Sequence, residues 1–179
     1  MRRINISEES RKEFIDFFRM LMWFALFFFG LRAFVMEGFE IEGSSMEPTL
    51  ADNERLFVLK FIYRFDDVER GDVVVFLYPE DVSRRFIKRV IGLPGDTVEV
   101  RNGKVRVNGR VLQETYVDKH YIRPNENIQK ETVPEHCYYV LGDHRSVSSD
   151  SRNGWFVPRE NIIGKAVLRF WPVTKFGTI

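Results

Sequence analysis

From residue 37 onward the chain is a succession of strand-like runs with no long helical period between them, and that pattern leaves few folds open. The segments 56–63, 72–78, 85–92, 97–112, 137–142 and 162–173 are rich in Val, Ile, Phe and Tyr, whose branched or aromatic side chains favour a pleated backbone. Asn102-Gly103, between two short alternating runs, reads as a two-residue hairpin turn, because Asn and Gly tolerate the positive φ that such turns require. Asn108-Gly109 offers a second turn. The polar stretch 114–135, with Pro124, Asn125, Asn127 and Pro134, reads as a loop. The expected domain over 37–179 is therefore mainly β, an antiparallel, coiled sheet in which residues 97–135 form a small, variable β-hairpin insertion.

Residues 20–36 break this pattern. They are apolar on every side except at Arg32, and their length lies at the short end of what a bilayer-spanning helix needs. A guanidinium near one end can snorkel to the interface, and Phe17, Phe18 and the run from Phe34 to Phe39 extend the apolar flanks. The expectation is one N-terminal transmembrane helix in contact with the lipid bilayer. Arg2, Arg3, Arg11, Lys12 and Arg19 precede the run while Glu37, Glu40 and Glu42 follow it, so the positive-inside rule puts residues 1–19 in the cytoplasm and 37–179 outside the cell membrane. No Ala-x-Ala pattern ends the run, which favours an uncleaved anchor over a removable signal peptide.

Composition narrows the function classes. With 44% hydrophobic and 30% charged residues the chain of 179 residues is that of a folded protein, and a net charge of +1 gives no broad face for nucleic acid. Cys137 is the single cysteine, so an intrachain disulfide is excluded, and its neighbours mark it as an apolar strand residue. The three histidines, His120, His136 and His144, are too scattered for a metal site; no metal and no cofactor is expected.

What remains is a serine and a lysine, each in a distinctive frame. Residues 43–50 read Gly-Ser-Ser-Met-Glu-Pro-Thr-Leu, and 85–96 read Arg-Phe-Ile-Lys-Arg-Val-Ile-Gly-Leu-Pro-Gly-Asp. A serine hydroxyl needs a base, and none of the histidines has the neighbours of a catalytic triad. An exposed lysine, with a reference pKa of ~10.4, is neutral only about once in a few thousand molecules near pH 7. Burial lowers that value by roughly 3 to 5 units for a fully desolvated amine. Lys88 lies in an alternating apolar run where Phe86, Lys88 and Val90 share one face, so an inward Lys88 would be desolvated.

These two runs, together with Arg-Gly-Asp-Val-Val-Val-Phe at 70–76 and Gly-Asp-His-Arg-Ser-Val-Ser-Ser-Asp-Ser-Arg-Asn-Gly-Trp at 142–155, resemble the bacterial type I signal peptidases, in the family's order and across roughly residues 37–172. The resemblance implies a membrane-bound serine endopeptidase that removes N-terminal signal peptides from exported preproteins after small residues at −1 and −3. It implies Ser45 as nucleophile, Lys88 as general base and Ser148 as the hydroxyl that orients the lysine. Asp143, Asp150 and Arg152 would hold the site together through ionic contacts, while Phe39, Ile41, Met46, Leu50 and Ile87 would line the substrate pockets. The chain departs from the common family pattern at His144, where asparagine is usual, in the order Gly154-Trp155, and at Gly43, where many Gram-negative members carry a serine that helps form the oxyanion hole. The hole would then rest mainly on the Ser45 N–H. Competing readings are a self-cleaving repressor-type Ser/Lys protease, which should carry a DNA-binding helical domain, a hydrolase dedicated to one substrate, and a non-enzymatic anchored β-domain. The sequence does not set the oligomeric state.

Overall fold

A computed structural model describes residues 8–179, with the side chains of 8–10 and 31–36 outside that description. The chain divides into two units, 1–36 and 37–179. The first is a helix, α1 (Glu8–Val35), which presents Phe17, Trp23, Phe24, Leu26 and Phe27 outward. Among the described residues no helix is long and apolar enough to cross a membrane. Arg2 and Arg3 of the expected cytoplasmic flank, and the side chains that complete the expected span, Arg32 among them, lie outside the described residues.

The second unit is antiparallel β, as the residue pattern requires. Its strands are β1 (Met36–Glu40), β2 (Arg55–Leu59), β3 (Val73–Tyr78), β4 (Asp81–Gly92), β5 (Thr97–Arg101), β6 (Lys104–Val107), β7 (Arg110–Val111), β8 (Ile128–Thr132), β9 (Cys137–Leu141), β10 (Val157–Pro158), β11 (Ile162–Trp171) and β12 (Gly177–Thr178). An 8-stranded sheet runs β1-β2-β11-β3-β4-β9-β10, with β12 added to β11, and a 4-stranded sheet runs β7-β6-β5-β8. The small sheet is the insertion. Asn102 and Gly103 both have positive φ and close β5 onto β6 with Arg101 opposite Lys104, while Asn108 and Gly109 do the same before β7.

The expected loop 114–135 is not all loop: β8 lies inside it and pairs with β5. Polar Gln129, Lys130 and Glu131 hid that strand, because it packs on one side only and Ile128 alone joins the core cluster.

The central strand β3 is buried on both faces, and the two-residue period assigns its side chains to different cores. Val73 and Val75 pack with Ile41, Met46, Leu50, Leu56, Val58 and Ala166. Val74 and Phe76 pack with Val90, Tyr138, Val140, Trp155 and Val157 on the other side. Strand β9 repeats the division one layer on. Tyr138 and Val140 join the second cluster, while Tyr139 and Leu141 join a third with Val98, Val100, Val105 and Val107, which docks the insertion on the main sheet. Truncating a fully buried residue such as Leu50 to Ala would cost roughly 2–5 kcal/mol through lost transfer energy and an unfilled cavity.

Candidate active site

Ser45 lies in the turn between β1 and β2, and Lys88 on β4 opposite Val74 of β3. The sheet brings them together: Lys88 Nζ is 2.8 Å from Ser45 Oγ and also donates to the Ile87 carbonyl at 2.8 Å. Lys88 is only 4% exposed, and its amine lies 5.3 Å above the Phe86 ring. Burial pushes its pKa down to about 8, against the fields of Asp150 and Asp143, which favour the charged form. An amine in that range is neutral in a useful fraction of molecules near neutrality and accepts a hydrogen bond from a hydroxyl as readily as it donates one.

The two aspartates do not neutralise Lys88, because each is committed elsewhere. Asp143 accepts a bidentate pair from Arg89, Nε to Oδ1 at 3.0 Å and Nη2 to Oδ2 at 2.8 Å, and a bond from Thr49 Oγ1 at 2.5 Å. Asp150 accepts from Arg152 Nε and Nη2, both at 2.8 Å, and from the Gly142 amide at 3.1 Å. Arg152 also reaches Glu126 at 2.7 Å. Arg145 donates to the Gly142 carbonyl at 2.8 Å and pairs with Glu114.

Gly142 is where this scaffold meets the serine loop. A Cβ there would collide with Ser148 Oγ and with the Ser45 carbonyl at 2.5 Å, so only glycine fits. Ser148 Oγ is buried with no hydrogen-bond partner among the described residues, and the expected bond to Lys88 is not formed. Gly43 has φ +88, a conformation that favours glycine, and its amide donates to Asp52 Oδ1 at 2.6 Å.

A cleft of about 600 Å³ opens beside Ser45 and Lys88. Of the residues expected to line it, Phe39, Ile41 and Ile87 do so. Met46 and Leu50 do not: both are fully buried in the first core cluster, where they back the cleft wall instead of facing it, because the turn that presents Ser45 directs its apolar neighbours into the core. Sequence reading missed Val75 and Phe86, which add apolar wall, and Arg84 and Arg85, which line one side. On that side β4 has a free edge, since β9 pairs only with its Arg89–Gly92 portion. Arg89 also escaped. It is 8% exposed and clamped to Asp143, and in the sequence only the apolar alternation of its strand hinted at burial.

Comparison with known proteins shows which family the chain belongs to. Residues 14–171 match the family model described as signal peptidase, peptidase S26. A signal peptidase I from Leptolyngbya laminosa is 45% identical over 157 residues, 84% of this chain and 76% of that protein. A signal peptidase I P from Bacillus subtilis subsp. natto is 36% identical over 178 residues, 94% of this chain and 96% of its own. A crystal structure of a signal peptidase I from Enterococcus faecalis V583 shares 38% identity and superposes with a TM-score of 0.49, covering 56% of this chain and 97% of that one.

Proposed function

Because the chain belongs to the signal peptidase family S26 and is a signal peptidase I-type serine endopeptidase, we propose that Ser45 is its nucleophile and Lys88 its general base. The observation that carries this reading is the 2.8 Å contact between Ser45 Oγ and the amine of a buried lysine whose pKa is lowered to about 8. In the proposed cycle neutral Lys88 takes the Ser45 proton as Oγ attacks the scissile carbonyl, then passes it to the departing amine. Water, deprotonated by the same lysine, releases the acyl chain. The Ser45 N–H, which makes no hydrogen bond among the described residues, is available to the oxyanion.

The substrates are exported preproteins, cut after small residues at −1 and −3. The shallow apolar wall of Phe39, Ile41, Val75 and Ile87 supports that preference, and the free edge of β4 is suited to an extended peptide adding as a strand. Residues 20–36 act as a single-pass anchor, with the N-terminus cytoplasmic and residues 37–179 outside. The outward Phe, Trp and Leu side chains of α1 support this, as do the basic residues before the run and the acidic ones after it.

The test is to incubate the detergent-solubilised full chain with a preprotein and read the cut by mass spectrometry. A single cut after a small residue, lost in a folded Ser45→Ala variant, is expected. Undiminished cutting by Ser45→Ala would end the assignment, and release of the protein from membranes at alkaline pH would end the anchor.

A further inference from the structure

The residue that stands where the family usually has asparagine holds the nucleophile's backbone from both sides. His144 Nδ1 is 3.2 Å from the Ser44 carbonyl oxygen, and the His144 amide donates to the Ser45 carbonyl at 3.1 Å. These oxygens belong to the two peptide units that flank the Ser45 Cα. A carbonyl oxygen only accepts, so this contact is a hydrogen bond when the ring proton is on Nδ1. The Ser44–Ser45 peptide is trans, and in a trans unit C=O and N–H point in opposite directions. Fixing the Ser44 oxygen therefore fixes the aim of the Ser45 N–H, and a donor on the oxygen also polarises that N–H. The Glu47 amide donates to the same oxygen at 3.1 Å, filling its second lone pair.

The ring itself is braced. It stacks on Tyr121 of the insertion with centroids 3.7 Å apart, and Glu47 Oε2 lies 3.6 Å from Nδ1. The Tyr121 hydroxyl donates to the same Glu47 oxygen at 3.4 Å. With glycine at position 43 there is no side-chain hydroxyl to share the oxyanion, so the aim of one backbone N–H carries more weight.

We propose that His144 is a positioning residue for the oxyanion hole, holding the Ser44–Ser45 peptide so that the Ser45 N–H faces the scissile carbonyl. This rests on Ser45 being the nucleophile. The oxyanion exists only after attack, so the effect belongs in kcat and not in substrate binding.

Two substitutions separate the hydrogen bond from the packing. His144→Phe keeps an aromatic ring against Tyr121 and loses the donor. His144→Asn loses the stack but keeps an N–H the same number of bonds from the backbone as Nδ1. Both are compared with the unaltered full chain in detergent at about pH 8.5, above the lowered Lys88 value of about 8. The expected result is that His144→Phe loses about tenfold or more in kcat with KM nearly constant, while His144→Asn recovers at least about a third of the original turnover. The reverse order, or equal losses in both, would overturn the proposal. A second measurement on the unaltered protein does not depend on folding of a variant: the ring nitrogen shifts of His144 should report a proton on Nδ1, and a neutral ring protonated on Nε2 alone would overturn it. Ser45→Ala is run alongside. If that variant still cuts, the nucleophile assignment falls and this proposal with it; if it is inactive while His144→Phe keeps its kcat, only the role of His144 falls.

Discussion

Lys88 and Arg89 are neighbours on β4, both buried, and the two sides of the strand treat them in opposite ways. On one side Arg89 meets a carboxylate in bidentate geometry, donates to the Gly71 carbonyl at 2.8 Å and lies 4.1 Å over the Tyr116 ring, so its charge is fully compensated. On the other side Lys88 meets a hydroxyl, a carbonyl and an aromatic face, and among the described residues no carboxylate lies within bonding distance. One burial is built to keep a charge, the other to remove one. The difference supports the proposed division of roles, Arg89 as scaffold and Lys88 as base, although both would be called buried basic residues.

The sharpest way to break the Arg89 side is Asp143→Ala. It leaves a buried guanidinium without its carboxylate and frees Thr49 as well, so a loss of about 3–5 kcal/mol in unfolding free energy is expected by denaturant titration. Lys88→Met should do the opposite. With a pKa depressed from 10.5 to about 8, the folded protein takes up the proton less readily than the unfolded chain, and below pH 8 this disfavours folding by about 3 kcal/mol. The variant should therefore be inactive yet more stable by up to about that amount at pH 6, with the advantage shrinking as pH rises from 8 through 10.5. A variant less stable than the parent at pH 6 would show that the Lys88 pocket does not penalise charge. A smaller effect is expected at the insertion. Glu126→Gln weakens one of two carboxylate contacts to Arg152 and should cost about 1–2 kcal/mol, because Asp150 still holds the guanidinium.

The sequence shows the two sides unequally. The Ser45 and Lys88 frames, the strands and the Asn-Gly turns are local patterns, and local patterns survive in one dimension. The partners of Arg145 and Arg152 do not: Glu114 and Glu126 lie in a polar stretch, 31 and 26 positions from the arginines they meet, and nothing near them in the chain marks the pairing. Met46 and Leu50 illustrate a different limit. Their apolar character announces burial, but whether a buried side chain faces the cleft or the core behind it depends on the turn that carries it. Ser148 is a third case: expected to hydrogen-bond Lys88, its buried hydroxyl lies beside Gly142 and has no hydrogen-bond partner among the described residues.

The claim that Lys88 works as a neutral base is tested most directly by following one group with two probes. The acidic limb of kcat/KM on a signal-peptide substrate and the side-chain nitrogen shift of Lys88 should titrate together, with a common midpoint at about 8. Since only the neutral amine accepts the Ser45 proton, activity should fall as pH drops through that value. A Lys88 nitrogen that titrates near its ordinary value of 10.5 while the activity limb lies far below it would contradict the assignment, because the group controlling the rate would then be another one.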